Sequence, residues 1–253
     1  GFELALWVNM LVVALFMQIG ANVFNEHGDY IHGVDRVASH GFAGLIVSGE
    51  ATPSEVLWVG IAFYALAAVL AVPLVIVRGI VVLVLGVFAA TVGVTYSEGP
   101  LPLSRTPFGE IVVGLTMGLI EVLATELVSC GGTSWSGYLV SVPVSLLVST
   151  ILLANNIRDA QKDRLAGRRT LAVLLGVSRA QILFYSLIIA SYFWAPLMWL
   201  YTGNGWLNLP LLSSPFAVLG MVRLHREGWK FGVETSSLLY LLYGVTLAFA
   251  LWI

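Results

Sequence analysis

Eight apolar runs, each long enough to cross a lipid bilayer, dominate the chain: residues 3–22, 55–77, 79–96, 108–130, 136–155, 178–201, 206–223 and 235–253. A helix needs about 20 consecutive apolar residues to traverse the hydrocarbon core. Within lipid, backbone polar groups must be satisfied inside a helix or a closed barrel. Barrel strands alternate polar and apolar positions, whereas these runs are apolar on every side, so helices are expected. The seventh run is the weakest, interrupted by Pro210 and Pro215. Composition closes the argument: 58% of residues are hydrophobic and 10% charged, against about 25% charged in a typical soluble domain. The chain lacks the polar groups to cover a water-facing surface, which excludes a soluble enzyme, a disordered chain and a disulfide-stapled module. Cys130 is the sole cysteine and cannot form an internal bridge. A net charge of -2 gives no general affinity for nucleic acid. The first run has no basic residues before it and carries Glu3, so it does not read as a signal peptide. The expected fold is an all-α polytopic membrane protein of eight transmembrane helices, one domain over residues 1–253, in contact with the lipid bilayer.

Basic residues orient the spans. If each run crosses once, one side receives Arg36, Arg105, Arg158, Lys162, Arg164, Arg168, Arg169, Arg179, Arg223, Arg226 and Lys230, and the other receives Arg78 alone. Lys and Arg accumulate on the cytoplasmic side of membrane proteins. The loaded side is therefore read as cytoplasmic, in a prokaryotic cytoplasmic membrane.

Two polar segments on that side follow directly from spans. The first, NVFNEHGDYIHGVD (22–35), places Asn22 with Glu26 and Asn25 with Asp29 four residues apart. The second, NNIRDAQKDRLAGRRTLAVLLG (155–176), places Asn155, Asp159 and Asp163 at the same spacing, with Arg158, Lys162 and Arg169 around them. Residues four apart share one face of a helix. Clustered carboxylate and amide oxygens are hard ligands suited to Mg2+, which keeps several waters and is commonly shared with substrate phosphates. Interleaved Arg and Lys suit phosphate oxygens. Together they point to a metal-bridged diphosphate beside an apolar interior, and hence to an isoprenoid diphosphate substrate. Asp29, Asp159 and Asp163 are the leading metal ligands, with Asn25, Glu26 and Asn155 behind them. Asn22, Asn25, Arg105, Arg158, Lys162 and Arg169 are candidates for binding the diphosphate or the acceptor. Tyr96, beside the Gly99-Pro100 turn, is the aromatic candidate for stabilising an allylic cation. The competing readings are solvated loops that only set topology, and an ion-coupled transporter whose carboxylates bind a cation. Transporter sites usually lie near the bilayer midplane on broken helices, whereas these clusters lie at helix ends. Asp29 and Asp159 are 130 residues apart, which points to an internal duplication. Two spans precede the second segment within its half and only one precedes the first, so a ninth, N-terminal helix is expected natively.

The remaining polar features are weaker. His27, His32, His40 and His225 match no compact zinc spacing and read as loop histidines. Gly44 to Gly49 form no phosphate-loop pattern and read as a flexible flap. Glu121 and Glu126 fall inside the fourth run, where a carboxylate is costly and a functional candidate by default.

On its two acidic segments, and on YSEGPLPLSRTPFGE (96–110) between them, the chain resembles the UbiA superfamily of intramembrane prenyltransferases across its whole length. Within that family the three stretches look like the 1,4-dihydroxy-2-naphthoate polyprenyltransferase, or menaquinone, branch. The resemblance implies nine helices around a central cavity, Mg2+ bound with the donor diphosphate between the two motifs, and prenyl transfer to an aromatic acceptor. Glu26 stands where the branch usually has Asp, and Glu121 and Glu126 lie in a span that is usually less charged. The other acceptors to weigh are 4-hydroxybenzoate and a glycerol phosphate lipid.

Overall fold

The computed structural model describes residues 2–34 and 44–252. Eight helices among them are long and apolar enough to cross a membrane: α1 (Leu4–Ile31), α2 (Pro53–Arg78), α3 (Ile80–Ser97), α4 (Gly109–Cys130), α5 (Trp135–Leu165), α6 (Val177–Thr202), α7 (Gly205–Glu227) and α8 (Trp229–Trp252). The all-α fold and the number of spans are as expected from the sequence. Asp35, Arg36 and His40 lie outside the described residues.

Helix ends follow local chemistry. Thr52 and Glu55 cap α2 reciprocally: the Glu55 amide donates to Thr52 Oγ1 at 3.3 Å, and the Thr52 amide donates to Glu55 Oε2 at 2.8 Å. Pro53 occupies the first helical position, where its missing N–H costs nothing. Gly79 alone separates α2 from α3, at φ 79°, a left-handed conformation that glycine adopts without a Cβ penalty. Pro210 explains the weak seventh run. The chain winds through 3-10 turns from Gly205 to Ser213 and becomes α-helical only at Ser214, with Pro215 in that first turn. The largest departures from the apolar runs are at α1 and α5. Both helices continue past the bilayer-length segment, to Ile31 and Leu165, so residues 22–31 and 155–165 of the acidic segments form the closing turns of two spans.

Contacts divide the chain into two compact units. The first comprises residues 1–106 and 124–133, the second residues 107–123 and 134–253. In the first, α1 packs along α2 and α3, around Val13, Ala67, Leu74, Val82 and Val128. Arg78 closes this unit by donating to the Val128 carbonyl at 2.8 Å and to the Glu3 carboxylate at 2.6 Å. In the second unit α5 is the central pillar. Buried residues make up 56% of its apolar window, against 11% for α1, and it packs on α6, α8 and the π-helical segment Gly114–Ile120 of α4. Gly114 and Gly118 meet Ser149 and Ser145 there with no room for a Cβ. Small residues let backbones approach closely where lipid offers no hydrophobic drive to associate. Val69, Ile76, Phe193, Leu200 and Trp252 stand exposed, a surface suited to hydrocarbon rather than water.

Candidate active site

Residues 22–31 of the first acidic segment form the C-terminal third of α1, tied to the end of α3 and the chain just beyond it. The Ser97 hydroxyl donates to the Asn25 side-chain carbonyl. His27 Nδ1 lies 2.6 Å from Glu98 Oε1. His32 places Nδ1 at 2.8 Å from the Gly28 carbonyl and Nε2 at 3.1 Å from the Gly99 carbonyl. Arg105 Nη1 donates to the His32 carbonyl at 3.3 Å. Gly28 sits against the Ser97 carbonyl so closely that no side chain fits between them. Asp29, half-buried, follows directly. Tyr96, also half-buried, precedes the serine that holds Asn25. Within this unit the fold therefore brings Asn25, Asp29 and Arg105 into one tied assembly. Asn22 is exposed and accepts a long bond from Gln18 Nε2 at 3.4 Å.

Two sequence expectations change here. His27 is not a loop residue; α1 extends past it, and its ring pairs with a glutamate 71 positions on. Nor is Gly44 to Gly49 a free flap. It is a turn whose Leu45 and Ile46 amides donate to Glu26 Oε1 at 2.8 and 3.3 Å. Glu26 is thus already an acceptor for backbone amides.

The second segment closes α5. Arg158 bridges two of the expected oxygen ligands: it donates to Asp159 from Nε at 2.9 Å and from Nη2 at 2.7 Å, and to Asn155 Oδ1 at 2.6 Å. One turn further, Asp163 is 1% exposed. Its Oδ1 accepts from Arg168 Nη1 at 3.2 Å, while Oδ2 is buried and meets no hydrogen-bond donor among the described residues. The local chain explains this arrangement. Gly167, at φ 71°, ends the helix in the left-handed conformation. The Gly167 amide bonds the Arg164 carbonyl and the Arg168 amide bonds the Asp163 carbonyl, the Schellman pattern. That turn folds Arg168 back onto the aspartate. Lys162 is half-buried and Arg169 exposed.

Sequence reasoning missed a buried polar group in the second unit. Glu110, 4% exposed, accepts from Asn156 Nδ2 at 2.9 Å; Asn156 is itself 7% exposed. The Ser149 hydroxyl donates to the Glu110 backbone carbonyl at 2.9 Å. The sequence signals for this are the Asn155-Asn156 doublet and the place of Glu110 at the end of the 96–110 stretch. Adjacent helix positions differ by about 100°, so one asparagine reaches Arg158 and the next turns inward. Glu121 is exposed and Glu126 half-buried. Among the described residues of either unit, no three His, Cys, Asp or Glu side chains gather as a metal cluster. Each segment offers one or two carboxylates with neighbouring amides, a donor set of the sparse kind that Mg2+ commonly receives beside phosphate.

Known proteins resemble the chain in both sequence and fold. The profile described as "UbiA prenyltransferase family" matches residues 1–243. A Bacillus subtilis protein named 1,4-dihydroxy-2-naphthoate octaprenyltransferase is 34% identical over 214 residues, covering 84% of this chain and 69% of the relative. The solved structure of a UbiA homolog from Aeropyrum pernix superposes with a TM-score of 0.76 at 16% identity, covering 99% of this chain and 91% of that one. A UbiA homolog from Archaeoglobus fulgidus, solved with DMAPP and Mg2+, gives 0.70 at 19% identity, covering 98% and 89%. With acidic helix ends at both expected segments and a match over nearly its whole length, the chain belongs to the UbiA prenyltransferase family, integral membrane enzymes that transfer prenyl groups.

Proposed function

We propose that the chain transfers a polyprenyl group from an isoprenyl diphosphate to 1,4-dihydroxy-2-naphthoate, in a Mg2+-dependent reaction of menaquinone synthesis. The observation that carries the reading is the end of α5. There Asp159 and Asp163 lie one turn apart and Asp163 Oδ2 is buried without a donor. A hard, uncompensated carboxylate oxygen among basic residues fits a divalent cation. The names of the relatives support the acceptor, and the A. fulgidus homolog's complex with DMAPP and Mg2+ supports the donor and the metal. The proposed oxygen ligands are Asp29, Asn25 and Glu26 in the first motif, and Asp159, Asp163 and Asn155 in the second.

Bound Mg2+ would supply charge neutralisation for the departing diphosphate. The chain's own residues bind and shield. Arg158, Lys162 and Arg169 offer cationic donors to phosphate oxygens, and Arg158 exchanges its carboxylate partners for them. The Tyr96 ring face suits an allylic cation. Arg105, held by the His32 carbonyl, suits the acceptor's carboxylate. The apolar helices keep out water that would capture the cation. An electron-rich ring carbon of the acceptor then forms the new bond to the prenyl carbon as its bond to the diphosphate oxygen breaks, and the ring regains its aromaticity by losing the carboxylate as carbon dioxide.

The deciding measurement is kcat/KM for 1,4-dihydroxy-2-naphthoate, 4-hydroxybenzoate and a glycerol phosphate lipid, at fixed geranylgeranyl diphosphate and Mg2+. The two-ring acid should be fastest. A preference for either alternative would keep the family and refute this acceptor. Orientation is testable separately. In a Cys130→Ser background, cysteine at Ser178 should be labelled only from the cytoplasmic side and cysteine at Asn204 only from outside. Ser178 lies in the first turn of the 26-residue helix α6 and Asn204 two residues past its end. Labelling of both positions from one side would break the proposed topology.

A further inference from the structure

We infer that Glu110, which lies outside both acidic motifs, supplies a further oxygen ligand to the divalent cation held by Asp163. The inference rests on the metal reading above and gives a role to a residue that the sequence shows only as the end of the 96–110 stretch. Glu110 is held on two sides: Asn156 Nδ2 occupies Oε1, and the Ser149 hydroxyl bonds its backbone carbonyl. These contacts leave Oε2 buried with no hydrogen-bond partner among the described residues, the same condition as Asp163 Oδ2. Both residues belong to the second unit: Glu110 is bonded to Asn156, which lies seven residues, and so two turns, before Asp163 on the same face of α5. Like charges with uncompensated oxygens repel in a low-dielectric interior, and such groups persist when a cation or a proton joins them. A proton on Glu110 would remove one charge and make Oε2 a donor, the competing arrangement that the Mn2+ measurement distinguishes. A divalent cation held between them would satisfy both oxygens, and carboxylate oxygen is the ligand type that Mg2+ and Mn2+ prefer. Asn156 then acts as a positioning residue, since its amide fixes which Glu110 oxygen remains open.

The test is Mn2+ binding to the full chain in detergent, read as free Mn2+ by electron paramagnetic resonance, for the unmodified chain, Glu110→Gln, Asp163→Asn and the double variant. Glu110→Gln keeps the side chain's shape and its acceptor for Asn156. It should weaken Mn2+ binding by about tenfold or more, a loss that even an outer-sphere partner of a metal ligand produces. The double variant should lose less than the product of the two single losses, because one shared ion couples them. A folded Glu110→Gln chain that binds Mn2+ normally, beside a weakened Asp163→Asn, would overturn this inference while leaving the proposed function intact. Failure of the unmodified chain to bind Mn2+ would overturn both. Should Glu110→Gln not fold, Glu110→Asp reads the same quantity: reduced affinity supports the ligand role and unchanged affinity refutes it.

Discussion

Asp163→Asn should lower prenyl transfer by about 100-fold or more, the loss that follows removal of a single preorganised electrostatic group. The substitution keeps the size of the side chain and removes its charge. Asp163 is the most buried of the proposed ligands, and its Oδ2 has no donor among the described residues to replace a cation. A neutral amide there weakens Mg2+ and leaves the diphosphate's charge less compensated in the step that breaks the carbon–oxygen bond. Asp29→Asn should behave alike if the first motif shares the task. Because Asp163 also pairs with Arg168 at 3.2 Å, the loss must be separated from misfolding. The helical signal and melting temperature of the purified variant should stay near those of the parent, and excess Mg2+ should recover part of the rate. Near-normal turnover in both folded variants would sink the metal assignment.

Gly118→Val should cost the second unit on the order of 1–3 kcal/mol or more, the usual price of overpacking. Gly118 lies in the π-helical segment of α4. A Cβ there would fall 2.7 Å from Ser145 Cβ and closer still to Ser145 Cα. Neither atom can rotate away, because one is backbone and the other is fixed to it. Relief requires α4 to move off α5, and that movement would also draw Glu110 from Asn156. The expected result is a lower melting temperature in detergent together with reduced turnover. Gly86→Ala is the control: nothing lies within 4 Å of its added Cβ, and alanine favours a helix over glycine by about 1 kcal/mol. Equal melting temperatures for Gly118→Val and the parent would show that the helix pair is not close-packed as described.

Much of the candidate site can be read along the chain because it is local. Asn155, Asp159 and Asp163 share a face by spacing alone, and the continuation of α5 through Leu165 meets the condition that spacing requires. Contacts between distant segments cannot be read this way. Glu110 meets Asn156 across 46 positions and His27 meets Glu98 across 71. Each pairing depends on how one helix is rotated and shifted against another. In soluble proteins an apolar stripe declares the inward face of a helix. These helices are apolar on all sides because lipid and protein interior are equally apolar, so the stripe is absent and rotation is set by small residues and polar contacts. The difference appears in the asparagine doublet, where Asn155 was legible as a ligand candidate and Asn156 was not.

Length and hydrophobicity of the runs were enough to determine eight membrane helices, because lipid accepts little else from such segments. The four-residue spacing of acids and amides was enough to place the candidate oxygen ligands on the closing turns of α1 and α5. Which carboxylate is buried, which amide holds it and which arginine folds back were decided only in three dimensions. Asp163 is enclosed because Gly167 turns the chain and returns Arg168 to it. Glu110 is enclosed because Gly114 and Gly118 let α4 approach the serines of α5. Burial and partnership at those carboxylates are properties of packed surfaces, which the residue pattern of a single helix does not contain.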